Sequence, residues 1–94
     1  MVNISQTKPV LVEVPSNITV NIATAVNLSC IAQGYPPPTY QWYKDGEVIA
    51  GEMKSFLYIA ETLPNNRGRY SCQAYNNRGQ TSSDSAVITI SGIS

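Results

Sequence analysis

The chain contains two cysteines, which are able to form a disulfide bond with each other. Cys30 and Cys72 lie 42 positions apart, with Trp42 12 residues after the first cysteine and Tyr70 two residues before the second. Both cysteines lie in segments where apolar and polar residues alternate, and the close cysteine pairs of metal sites are absent from the sequence. The pattern favours a disulfide, with two buried free thiols as the alternative. Chain-entropy arguments give such a bridge about 4 kcal/mol of stabilisation.

The chain has few side chains that are suited to catalysis. The chain has no histidine, and therefore no imidazole to act as a general base near neutral pH. Its six acidic residues are scattered and fall mostly in predicted turns. The sequence also lacks a glycine-rich phosphate loop and a cluster of metal ligands. We therefore expect that the protein is not an enzyme. We expect no catalytic, cofactor-binding or metal-binding residue, and no cofactor.

Three Asn-X-Ser/Thr triplets are candidate sites of N-glycosylation. They begin at Asn3, Asn17 and Asn27. Three such triplets in 94 residues, together with a candidate disulfide, favour an extracellular origin. The alternation that buries Leu28 and Cys30 also turns Asn27 outward. We predict that these asparagines carry glycans.

Length and charge limit the classes of function further. The chain has 94 residues and a formal net charge of zero, and its basic residues form no run. One small domain without a charged patch is a poor binder of nucleic acid or of an anionic membrane. The sequence has no 18-residue apolar run and no signal peptide at its start. We expect a piece of a longer secreted or membrane-anchored protein.

Short segments of alternating polarity predict an all-β fold. In the clearest of them, Val26, Leu28, Cys30 and Ala32 share one face. The predicted strands are 10–14, 18–22, 26–32, 40–44, 55–60, 69–75 and about 81–90, with a short edge strand or irregular segment between 47 and 54. The predicted turns and loops are a stiff proline loop at 33–39, the Asp45-Gly46 turn, a crossover at 61–68 with Leu63 as its apolar plug, and a hairpin turn at 76–79.

Together, these segments resemble an immunoglobulin-superfamily domain of the I-set type. The resemblance covers about residues 8–91 and is carried by 26–30, 34–46, 57–59 and 70–79. It implies a β-sandwich of two antiparallel sheets with Greek-key connections, flanked by tails at 1–7 and 92–94. It further implies that the cysteine bridge crosses between the sheets, that Trp42 packs on it and that Tyr70 hydrogen-bonds a nearby backbone group. Leu28 and Leu57 complete the expected core.

Two positions depart from the pattern of this family. The family usually has an aspartate, paired with a basic residue, four positions before the tyrosine, and Asn66 stands there in this chain. Ala23 replaces the glycine that is common seven positions before the first cysteine. We expect the ion pair to be lost and the turn at Ala23 to differ, with the fold unchanged.

One face of the expected sandwich is the candidate interface. Alternation turns Gln41, Tyr43, Gln73 and Tyr75 outward on the sheet that carries Trp42 and Cys72. Tyrosine suits protein contacts because it joins apolar area to a polar tip. Glycans on Asn17 and Asn27 would lie on the other sheet and shield it. We therefore predict a protein-binding patch formed by the two tyrosines and two glutamines.

The resemblance implies a non-catalytic protein-binding or spacer module in the extracellular part of an adhesion or receptor protein, at the cell surface or secreted. Its expected partners are a protein, homophilic or heterophilic, and neighbouring immunoglobulin-like domains of the parent chain. Nucleic acid and direct membrane contact are not expected. The alternatives are an intracellular I-set domain of a muscle or cytoskeletal scaffold and a module of a secreted matrix protein.

Overall fold

Ten β-strands form the fold in the computed structural model, which describes residues 5–91. The strands are β1 (Thr7–Glu13), β2 (Ile18–Asn21), β3 (Val26–Ser29), β4 (Ile31–Tyr35), β5 (Thr39–Lys44), β6 (Glu47–Val48), β7 (Phe56–Ile59), β8 (Gly68–Asn76), β9 (Gly79–Ser82) and β10 (Ala86–Ser91). A 3₁₀ helix, Pro64–Asn66, precedes β8. The predicted all-β class is confirmed. No helix within the described range is both long and apolar enough to cross a membrane.

The larger layer is a six-stranded sheet centred on β8. Its order is β2-β10-β8-β5-β6, and β9 also pairs with β8. The β5–β8 pair places Trp42 directly opposite Cys72. The β5–β6 hairpin turns at Asp45 and Gly46, whose φ angles of 51° and 84° are both positive, as a two-residue type I′ turn requires. The hairpin predicted from Asp-Gly is therefore present.

The smaller layer consists of the pairs β1–β4 and β3–β7. Only Cys30 separates β3 from β4, so these two strands continue one another through the first cysteine. The N-terminal segment changes layers near Pro15: β1 pairs antiparallel with β4, and β2 then pairs parallel with β10. This parallel edge pair adds to the antiparallel pairing that the sequence predicts.

Two predicted boundaries are wrong. The proline loop was expected from residue 33, but β4 continues to Tyr35 because β1 supplies a partner, with Val10 opposite Gln33 and Thr7 opposite Tyr35. The last predicted strand is divided into β9 and β10. At this break the Ser83 N–H still donates to the Cys72 carbonyl at 2.8 Å, but the Cys72 N–H donates to the Ser83 hydroxyl oxygen at 3.0 Å, so a side chain replaces one of the two backbone bonds where the strand ends.

Apolar side chains at alternate strand positions fill the space between the layers. The buried cluster consists of Val26, Leu28, Cys30, Trp42, Leu57, Tyr70, Cys72 and Ile88. This set contains both cysteines and all four residues that the sequence assigned to the core.

The predicted plug of the crossover is wrong. Leu63 is 52% exposed, whereas the neighbouring Thr62 is 0% exposed. The Thr62 hydroxyl accepts a hydrogen bond from the Thr24 N–H at 3.1 Å and lies 2.9 and 3.2 Å from the carbonyl oxygens of Thr24 and Asn21. Threonine is buried here because these bonds satisfy its hydroxyl, which removes the usual penalty for burying a polar group.

Candidate functional site

The cysteines form the covalent centre of the domain. Cys30 and Cys72 are joined in a disulfide with their Cα atoms 6.5 Å apart, and both are 0% exposed. The bridge links the smaller layer to β8 in the larger one. Trp42 is buried beside it, and its indole N–H donates to the Lys54 carbonyl at 2.8 Å. The predicted disulfide is confirmed, and the bonded sulfurs are unavailable as nucleophiles or metal ligands.

Tyr70 closes the same core near the 3₁₀ helix. Its hydroxyl donates to the carbonyl of Asn66 at 2.6 Å, four residues upstream. Burial raises the pKa of Tyr70 and the charge of Asp45 adds to that rise, while the side-chain amide of Asn66 acts in the opposite direction. The Asn66 side chain accepts the Leu63 N–H at 2.7 Å. Asn66 therefore holds the crossover through its backbone and its amide, without the carboxylate usual in the family.

The four predicted interface residues lie together on the outer face of the larger sheet. Gln41 is directly opposite Gln73, while Tyr43 and Tyr75 lie two residues further along β5 and β8, respectively. All four side chains are half-buried. The Tyr43 hydroxyl donates to the Gln73 side-chain oxygen at 3.4 Å, so these two side chains orient each other. We call this set the tyrosine face.

Gln41 has a second task that its sequence position does not reveal. Its amide nitrogen donates to the backbone carbonyl of Ile49 at 2.9 Å and to those of Trp42 and Glu52 at 3.0 and 3.3 Å. These bonds attach the segment after β6 to β5. The amide of Gln41 is therefore largely committed within the domain, and the two tyrosines and Gln73 are better placed to meet a partner.

Further residues of the outer face were missed from the sequence. Val48 lies opposite Tyr43 across the β5–β6 hairpin and is 58% exposed. On the other side, Ser82 lies opposite Gln73 and Gln80 opposite Tyr75. The signal for Val48 was present, because a two-residue Asp-Gly turn fixes the register of its hairpin. The signal for β9 was weaker, since Gly79–Ser82 is a short polar strand.

The sequons do not share one face as expected. Asn27 is exposed on β3, opposite Tyr58 of β7, on the outside of the smaller layer. Asn17 instead precedes β2 at the edge of the larger sheet, where its side-chain oxygen accepts the Val87 N–H at 2.8 Å. The expectation that Asn17 shields the smaller layer is therefore wrong, because β2 changes sheets. Asn3 lies outside the described residues.

One cleft opens between the layers near Lys44 and has a volume of about 260 Å³. Its lining residues are Lys44, Ile49, Glu52, Leu57, Tyr58, Ile59, Asn66 and Tyr70. The Lys44 ammonium donates to the Asn65 carbonyl, and the Tyr70 hydroxyl donates to Asn66. Both groups are thus bonded within the protein. Among residues 5–91, no group of three or more histidine, cysteine, aspartate or glutamate side chains is arranged to hold a metal.

Comparison with known proteins agrees with this geometry. A family model described as "Immunoglobulin domain" matches residues 8–90. Mouse myopalladin is 44% identical over 79 residues, which cover 73% of this chain and 6% of that protein. Human vascular endothelial growth factor receptor 1 is 33% identical over 96 residues, which cover 95% of this chain and 7% of that protein. The chain thus spans only a small part of these relatives.

A solved structure of two titin domains shows the same arrangement of strands. The titin domains z1z2, in a crystal structure with telethonin, match this chain with a TM-score of 0.84 and 26% identity, over 96% of this chain and 50% of that one. The two-layer sandwich, the bridge between its layers with Trp42 beside it, and the family match over residues 8–90 lead to one assignment. The chain belongs to the immunoglobulin domain family.

Proposed function

We propose that this domain is a non-catalytic protein-binding or spacer module in the extracellular part of a cell-surface adhesion or receptor protein. The observation that carries the proposal is the tyrosine face, where Tyr43 and Tyr75 lie on either side of the Gln41–Gln73 pair and Tyr43 is hydrogen-bonded to Gln73. Likeness to a growth factor receptor, the disulfide and the sequons support the extracellular setting. In this setting the domain is a glycoprotein module beside similar domains of its parent chain, with a role in adhesion or receptor signalling.

The tyrosine face suits protein recognition for a physical reason. A tyrosine ring contributes a large contact area while losing the freedom of few rotatable bonds, and its hydroxyl tolerates both water and a partner. Here Tyr43 is already held by Gln73, and both belong to strands in the centre of the sheet. A partner therefore meets a largely pre-formed surface, which lowers the entropic cost of binding. The exposed Val48 adds apolar area at the rim.

The test is a binding screen with matched variants. The tetramerised domain is screened against a panel of recombinant cell-surface ectodomains and against itself, by surface plasmon resonance and by sedimentation. We expect a protein ligand whose affinity falls at least about tenfold in Tyr43→Ala and Tyr75→Ala, as for centrally placed contact residues. Tyr58→Ala, on the opposite face, is the control and should bind normally. A ligand that binds both tyrosine variants unchanged would refute the tyrosine face as the binding site.

A second candidate is favoured by other comparisons. The likeness to myopalladin and to titin domains supports an intracellular domain of a muscle or cytoskeletal scaffold. A secreted matrix module is the remaining alternative from the sequence. Mass spectrometry of the native protein, with and without reductant, separates the first two candidates. A disulfide and glycans favour the extracellular module, whereas free Cys30 and Cys72 thiols on an unglycosylated chain favour the scaffold.

A further inference from the structure

We propose that Tyr58 and Phe56 form an aromatic platform that is covered by the first sugars of a glycan attached to Asn27. The inference rests on the proposed extracellular setting, since N-glycans are added in the secretory pathway. It concerns the outside of the smaller layer, which is the face opposite the tyrosine face.

The register of β3 and β7 places the platform beside the sequon. Asn27 is directly opposite Tyr58, and Ser29, the third residue of the sequon, is opposite Phe56. The Cys30 N–H donates to the Ser55 carbonyl at 2.8 Å, which makes Asn27–Tyr58 and Ser29–Phe56 the non-hydrogen-bonded pairs of the ladder. Such pairs have the shorter Cα separation, about 4.5 Å, and the closer side chains.

The two aromatic side chains are unusually exposed for their size. Tyr58 is 55% and Phe56 42% exposed, while Leu57 between them is buried in the core. The Lys54 ammonium lies over the Phe56 ring, 5.6 Å from its centroid, and so takes up part of the space beside that ring. Tyr58 is therefore the centre of the platform and Phe56 its rim. Adjacent exposed aromatic rings on one strand face leave apolar area in water that a covering group would remove.

The covering group is a sugar attached to Asn27 of the same chain. The Asn27 amide nitrogen displaces the diphosphate of a lipid-linked oligosaccharide at the anomeric carbon of the first sugar. The carbon–nitrogen bond forms, the carbon–oxygen bond to the diphosphate breaks, the lipid diphosphate leaves, and the nitrogen gives up one proton. The attached pyranose then lies one strand away from Tyr58, where its face of C–H bonds packs on the ring by dispersion and weak C–H contacts.

Asn17 provides an internal comparison. Its neighbour across the β2–β10 pair is Val87, and its side-chain oxygen already accepts the Val87 N–H. No aromatic ring stands beside it in the register of that edge. A glycan at Asn17 therefore lacks the platform, although its sequon is of the same chemical type. Sugar ordering and stabilisation should be specific to the Asn27 site.

The experiment compares the glycans at Asn27 and Asn17 in the full chain, secreted from glycosylating cells and trimmed enzymatically to one N-acetylglucosamine per site. Mass spectrometry measures occupancy, nuclear magnetic resonance measures the chemical shift of each N-acetyl methyl group, and urea unfolding measures stability. We expect Asn27 to be occupied, its methyl resonance to shift upfield by the ring current of Tyr58, and the unfolding constant to fall several-fold relative to Asn27→Gln. Tyr58→Ala should abolish both the upfield shift and the stabilisation, whereas Tyr58→Phe, which keeps an aromatic ring, should retain them.

The Asn17 sugar is the control, and neither Tyr58 variant should change its methyl resonance. An unoccupied Asn27, or an Asn27 sugar whose resonance and stabilisation do not respond to Tyr58→Ala, would overturn the platform. Because Tyr58 is exposed, its variants are expected to fold, and circular dichroism verifies this. The proposed binding face is tested separately, through Tyr43 and Tyr75, so the binding face and the platform can each fail without the other. Free thiols on an unglycosylated native protein would instead remove the extracellular setting on which both rest.

Discussion

The hydroxyl oxygen of Tyr70 lies 2.6 Å from the carbonyl oxygen of Asn66 and donates its proton to it. This bond joins the central strand β8 to the 3₁₀ helix of the crossover, and the tyrosine that makes it is buried in the core. The tyrosine thus fixes the path of the chain as it passes from the smaller layer to the larger one. Asn66 contributes its backbone to this contact, so the asparagine that replaces the family's aspartate does not weaken it.

Replacing Tyr70 with phenylalanine removes the donor and keeps the ring. We expect Tyr70→Phe to lower the free energy of unfolding by about 1 kcal/mol, the usual net value of one such bond, or more because the carbonyl loses its partner. Urea denaturation measures the change. Tyr58→Phe, which alters an exposed tyrosine, is the control and should stay within about 0.5 kcal/mol. Equal stabilities for the parent and Tyr70→Phe would contradict this role.

The same tyrosine predicts a loss of stability at alkaline pH. Burial, aided by the charge of Asp45, raises the pKa of Tyr70 in the folded state above its ordinary value. Folding thus favours the neutral phenol. Its contribution to the free energy of unfolding is fully present below the unfolded-state pKa of about 10. It is lost as pH rises from there through the folded-state pKa. Unfolding free energies measured across this range should fall more steeply for the parent than for Tyr70→Phe, and parallel curves would exclude the effect.

Thr62 predicts a cost for removing a buried hydroxyl. In Thr62→Val the shape is kept, but the Thr24 N–H loses its acceptor and the Asn21 carbonyl loses the hydroxyl, whereas the Thr24 carbonyl keeps the Thr62 backbone N–H at 3.1 Å. We expect a loss of about 1–3 kcal/mol, the penalty for unsatisfied buried groups. Leu63→Ala is the matched control one residue away, and its exposed side chain should contribute little. If the leucine variant were the more damaging, the packing of this crossover would be misassigned.

The sequence predicts those features that depend on local pattern. Period-two alternation identifies the buried faces that carry Leu28, Trp42 and Cys72, because one face of each strand must be apolar. The Asp45-Gly46 pair predicts its hairpin because few residues accept positive φ at both positions. The tyrosine face follows from the same alternation, since a residue that follows a buried one points outward.

Features that depend on distant parts of the chain could not be predicted in this way. The burial of Thr62 requires the carbonyls of Asn21 and Thr24, which lie about 40 residues earlier in the sequence. The position of Asn17 depends on a parallel pairing with β10 that no local signal encodes. The commitment of Gln41 depends on the path of the backbone at Ile49 and Glu52, an irregular segment without periodicity.

Ala23 offers a stabilising change at a strained position. Its φ angle is 68°, in the left-handed region where a β-carbon costs an L-residue about 1–2 kcal/mol. Glycine removes this cost, but its greater conformational freedom stabilises the unfolded chain by about 0.4–1 kcal/mol. We therefore expect Ala23→Gly to raise the free energy of unfolding by about 0.5–1 kcal/mol. The backbone bond from the Ala23 N–H to the Thr62 carbonyl, 2.7 Å long, should persist in the variant.

The control for this change lies in the same turn. Ala25 is also exposed and its φ is not positive, so Ala25→Gly gains only unfolded-state freedom and should destabilise the domain by up to about 1 kcal/mol. Chemical denaturation of both variants under identical conditions compares the two alanines directly. Opposite signs are expected because only Ala23 has strain to release. A loss of stability in both variants would mean that the turn at Ala23 accommodates its β-carbon without cost.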